Sequence, residues 1–164
     1  MKGLVDTESL GLEEEFKTMF NVDGKEVCLV IGYACDHDDM IAYTGYPLSK
    51  NVSSGIIIIY SIENRASFDN IEERCREIQK SMPDVPIIIV GNKTDLKESR
   101  CVSTEEGQNL AQRFGIDFIE ISIKSFENVE EAFAILTRNL INIELSKNQN
   151  TKKEKKKAET CTFA

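Results

Sequence analysis

Four apolar β-branched residues run unbroken from Ile87 to Val90, and the same texture appears at Ile56–Ile59. Runs without polar alternation mark strands covered on both faces, as in a parallel sheet with crossover helices. Between them Phe68, Ile71, Cys75, Ile78 and Met82 recur at steps of 3, 4, 3 and 4, which predicts a helix from about Ser67 to Met82. Pro83 and Pro86 stop it. Ser103 with Glu106 three residues on forms a capping box and opens a second helix to about Phe114. A strand over 116–122 follows, then a third helix from about Asn128 through Phe133, Leu136 and Leu140. The first third differs. Phe16, Thr18, Phe20 and Val22 alternate before Asp23-Gly24, and Val27, Leu29 and Ile31 alternate after it, so this segment predicts a hairpin. The order is an antiparallel pair followed by βαβαβα, an α/β fold. Periodicity ends near residue 145, dividing the chain into a globular domain (1–145) and a solvated tail (146–164).

Charge sharpens that division. The chain of 164 residues has a formal charge of −8, yet from Ser146 onward six lysines face only Glu154 and Glu159, leaving about −12 on the body. An acidic body argues against nucleic-acid binding. Cys28, Cys35, Cys75, Cys101 and Cys161 form no CxxC pair, which points to a reducing cytosolic setting. No apolar run approaches the ~20 residues of a membrane helix. His37 is the one histidine, which leaves little room for histidine-based catalysis.

The second uniform strand runs into Gly91-Asn92-Lys93-Thr94-Asp95. In open α/β sheets ligands bind beyond the carboxyl ends of the strands. A carboxylate there accepts two parallel N–H bonds, a donor pair that guanine presents and adenine does not. The asparagine amide suits the base N7, and the lysine stem can lie along the flat ring. Composition alone also fits a plain polar turn.

Context decides between them. GNKTDL, VSTEEGQNLAQRFG, FIEISIK, NVEEAF, SIENRASFDNI and VPIIIVGNK stand in an order and spacing that resembles the Ras-type small GTPases over about residues 53–142. The resemblance implies a Ras-like P-loop GTPase fold, a mostly parallel sheet with an antiparallel edge hairpin. It also implies guanine-base contacts from Asn92, Lys93 and Asp95, a supporting Ser122, a backbone N–H of Ile123 facing the base carbonyl, and Lys124 beside them. The family usually has alanine where this chain has Ile123.

The first third departs from the family. The phosphate-cradling G-x-x-x-x-G-K-S/T loop and its strand are missing from this sequence. With it go the backbone nest, the phosphate lysine and the magnesium hydroxyl. Gly11 falls at the switch threonine, Tyr33 at the metal-linked aspartate, Asp36 at the following glycine and His37 at the water-positioning glutamine. In the family the missing strand lies between the third and fourth strands, so its loss would leave both neighbours unpaired or force them together. Asp36, His37, Asp38 and Asp39 read as a solvated acidic loop, because four consecutive side chains point in different directions. Cys161-Thr162-Phe163-Ala164 behind the lysines fits a C-a-a-X prenylation pattern at Cys161, with farnesyl expected.

These residues lead to a degenerate Ras-family GTP-binding signalling protein. It keeps guanine-base recognition for GTP or GDP, lacks the ligands for magnesium, and has impaired or absent hydrolysis with no catalytic residue identified. Its partners would be effector or regulator proteins and the anionic inner leaflet, on the cytoplasmic face of a membrane. The alternatives are a nucleotide-free interaction module, or a competent GTPase with a further N-terminal segment.

Overall fold

The computed structural model describes residues 15–36, 39–44 and 55–160, with side chains described over 17–31 and 55–147. Six strands form a single sheet in chain order: β1 (Glu15–Val22), β2 (Lys25–Asp36), β3 (Asp39–Thr44), β4 (Gly55–Ser61), β5 (Ile87–Asn92) and β6 (Asp117–Glu120). The ladders from β1 to β4 are antiparallel, and those from β4 to β6 are parallel. It follows that β2, β4, β5 and β6 all run in one direction. The α/β class and the edge hairpin are as expected from the sequence. Asp23 (φ 52°) and Gly24 (φ 80°) are both left-handed at the hairpin, as a two-residue type I′ turn demands.

β3 was not anticipated. Of the acidic loop expected over 36–39, Asp36 is the last residue of β2 and Asp39 the first of β3, and the two pair with each other. β3 then lies between β2 and β4, with Ala42 opposite both Tyr33 and Ile57. The central lane, expected either to leave its neighbours unpaired or to close by forcing them together, is instead filled from within the chain. The physical reason is the one that made a gap costly: without β3, two rows of backbone N–H and C=O groups would lack partners. The replacement runs antiparallel to β4. The expectations for Gly11, His37, Asp38 and Cys161 lie outside the described residues.

Alternation sorts the isoleucines of β4 and β5 onto two faces. Ile56, Ile58, Tyr60, Ile87 and Ile89 pack with Phe68, Ile71, Cys75, Ile78 and Leu110 of α1 (Arg65–Asp69), α2 (Ile71–Ser81) and α3 (Thr104–Phe114). Ile57, Ile88 and Val90 pack with Ala132 and Leu136 of α4 (Val129–Thr160) on the other face. Burial on both sides explains why these strands show no polar alternation. α3 carries the expected capping box between Ser103 and Glu106 and ends at left-handed Gly115. Two boundaries differ from expectation. The first helix starts earlier and breaks at Asn70, because the Asn64 side chain caps it by accepting the Ser67 N–H at 3.3 Å. α4 continues through residue 145 to Thr160, so the segment expected to be an unstructured tail is helical in its backbone.

Candidate guanine-base site

β5 and β6 end side by side, and the loops that leave them hold one another. The Thr94 N–H donates to the Ile121 carbonyl at 3.2 Å. Asn92 Oδ1 accepts the N–H of Lys93 at 2.7 Å and that of Ile123 at 3.2 Å. The Ser122 hydroxyl donates to Asp95 Oδ1 at 2.7 Å and accepts the Ser125 N–H at 3.2 Å. Ser122 itself is fully buried, and its N–H is taken by the Glu127 carbonyl at 3.1 Å. Each expected site residue except Lys124 is thus fixed by a bond to the opposite loop or, for Lys93, to a neighbouring strand end. Lys124 is exposed, with its ammonium 3.8 Å from Asp95 Oδ2.

Some of this was missed in the sequence. Lys93 has a left-handed backbone (φ 72°) and its ammonium pairs with Glu63, just beyond the end of β4. Glu63 lies at the carboxyl edge of the sheet, and that position alone could have singled it out. Ser125 and Glu127, which brace Ser122, carry no local signal.

The Asp95 side chain remains 21% exposed, with one oxygen oriented by Ser122 and the other toward Lys124. The Ser122 hydroxyl bond holds its carboxyl below the usual carboxylate range, against a smaller upward push from burial; its own backbone N–H, Lys124 and Lys93 add to the lowering. A group whose pKa falls on folding contributes above its ordinary value, about 4, and loses that contribution as pH falls through the lower folded value. Binding through ionised Asp95 should therefore be flat from about pH 8 to 5 and decline only below about 4. In Ser122→Ala the decline should begin at higher pH. Calorimetric titration of guanosine across that range checks both, and a fall in affinity centred near pH 6 would assign the site's charge to another group.

An α/β sheet carrying a fixed Asn-Lys-x-Asp loop beside a Ser-x-Lys loop defines a Ras-like domain. The chain belongs to the Ras family, whose sequence model matches residues 7–142. It is similar to the human Ras-related protein Rab-8B, 37% identical over 134 residues, covering 81% of this chain and 63% of that protein. The Ras-related protein Rab-8 of Diplobatis ommata is 37% identical over 143 residues, covering 87% and 66%. The Ras-like protein rasX of Dictyostelium discoideum is 32% identical over 124 residues, covering 74% and 57%. The chain spans less than two thirds of the length of these relatives.

Against a guanine nucleotide with magnesium, the described residues divide. The base half fits: a carboxylate held ionised by Ser122 and backed by Lys124 matches the paired N–H edge of guanine. The phosphate half does not. Beside β4, where a parallel strand would deliver a phosphate loop, β3 runs the other way.

Proposed function

We propose that this chain is a degenerate Ras-family protein that grips guanine through Asn92, Lys93, Asp95, Ser122, Ile123 and Lys124 and does not hydrolyse GTP at a useful rate. The carrying observation is Asp95, oriented through Ser122 by a loop that is itself braced from behind. Asp95 accepts the two N–H groups of the base, Asn92 orients the base edge, and the Lys93 stem packs along the ring. Adenine, which lacks the donor pair, leaves the carboxylate unpaired and is rejected. A calorimetric titration with guanosine and adenosine tests this: guanosine should bind and adenosine should not. Equal affinities would dispose of the base-reading assignment.

The chain would act in signalling on the cytoplasmic face of a membrane. Cys161 would carry a farnesyl group, and the lysines before it would meet anionic headgroups as the second signal that one lipid needs. In cells, Cys161→Ser should move the protein from the membrane fraction to the soluble one; a variant still on membranes removes the lipid from this picture. Effector or regulator proteins would complete the assembly. A second reading, a nucleotide-free interaction module, draws support from the edge strand β1, where Met19 is 64% exposed.

A further inference from the structure

We infer that Glu63 is a positioning residue of the base site, holding the Lys93 side chain as a fixed rail along which the purine lies. This rests on the base-site reading above and adds to it a residue that acts through Lys93. Three observations carry it. First, the Lys93 ammonium is paired with Glu63 Oε1, although the two side chains are 46% and 29% exposed. A lysine left to solvent samples many rotamers and must give them up when a ring settles on its stem. Pairing at the far end removes that freedom before a ligand arrives.

Second, both ends of the rail are set by anchored backbone. Lys93 is left-handed (φ 72°), uncommon for a residue with a side chain, and this sets the direction in which its stem leaves the loop. Its N–H is taken by Asn92 Oδ1 at 2.7 Å, and its carbonyl accepts the Leu96 N–H at 2.9 Å. Glu63 follows Ile62, which is fully buried. The Ile62 N–H donates to the Asn92 carbonyl at 3.0 Å, and the Ile62 carbonyl accepts the N–H groups of Cys101 at 2.8 Å and Val102 at 3.1 Å. The carboxylate therefore stands beside a residue bonded on both sides.

Third, the rail points the right way. β5 lies between β4 and β6. Asp95 is held on the β6 side through Ser122, whereas Lys93 reaches toward the β4 side to meet Glu63. The stem thus runs away from the carboxylate that reads the base, across about one strand spacing of 4.8 Å. A purine gripped at one edge by Asp95 extends in that same direction, with the lysine methylenes along its face.

The experiment is a double-mutant cycle read by calorimetric titration of the 164-residue chain with guanosine. Glu63→Ala should weaken binding about three- to tenfold, the loss that follows from freeing one long side chain. Glu63→Gln, whose amide oxygen still accepts from the ammonium, should recover part of that loss. Lys93→Met keeps an apolar stem without the charge, and in that background Glu63→Ala should change affinity by less than about twofold. Salt reads the same coupling with Lys93 in place: the gap between the unaltered chain and Glu63→Ala should narrow from about 20 mM to about 500 mM as screening loosens the pair. A gap that neither salt nor Lys93→Met moves would show that Glu63 acts without Lys93. Glu63→Ala binding within about twofold of the unaltered chain would show that it does not act at all. Either result overturns the inference and leaves the base site standing. Failure of the unaltered chain to bind guanosine overturns the base site itself, and the inference with it.

Discussion

Ala42→Pro should cost the fold about 3 kcal/mol or more. Ala42 faces Tyr33 on one side and Ile57 on the other, so its backbone lies between two ladders. Proline removes the N–H that bonds to one neighbour and presses its ring against the strand, and a strand at the centre of a sheet has no solvent side to absorb this. Urea unfolding followed by circular dichroism measures the effect. With a slope of about 2 kcal/mol per molar, the midpoint should drop by more than about 1 M. In an exposed loop the same substitution would change stability by no more than about 0.5 kcal/mol. A loss that small would remove β3 from the sheet and return the central lane to an unsolved vacancy between β2 and β4.

Asp95→Asn should weaken guanosine binding about a hundredfold while the thermal midpoint shifts by only a few degrees. An amide in place of the carboxylate has one acceptor and one donor group. The Ser122 hydroxyl claims the acceptor, as it now claims Asp95 Oδ1. The NH₂ group then faces the N–H pair of the base, donor against donor. The small stability effect follows from the 21% exposure of the Asp95 side chain, which leaves the amide in contact with water. Calorimetry and a melting curve on the same preparation separate the two quantities. Affinity within about threefold of the unaltered chain would mean that Asp95 does not read the base.

Local patterns carried much of the architecture. The uniform runs at β4 and β5 identify strands buried on two faces, Ser103 with Glu106 identifies the start of α3, and Asp23-Gly24 identifies the hairpin turn. The six candidate base-site residues came from the resemblance to the Ras-type GTPases, since composition alone also fits a polar turn. The structure places them at and just beyond the ends of β5 and β6. What escaped has a common cause, since it depends on partners distant in the chain. Met40-Ile41-Ala42-Tyr43 has no alternation, because a central strand is told which faces it shows by neighbours on both sides. The pairing of Lys93 with Glu63 spans thirty residues. The continuation of α4 escaped for the opposite reason. Its last half has no apolar stripe to detect, and lysine, glutamate, glutamine and alanine sustain a helix by intrinsic preference alone.

α4 has 32 residues, and at 1.5 Å of rise each it is about 48 Å long. Among the residues whose side chains are described, those of α4 buried against the sheet, such as Ala132 and Leu136, lie in its first part. The remainder is a strut rather than a cord. A lipid at Cys161 would then grip the bilayer from the far end of a stiff spar, fixing the height and tilt at which the body rides. A flexible leash of equal length would let the body roll freely across the headgroups, whereas a spar presents the same side of it to every passing protein.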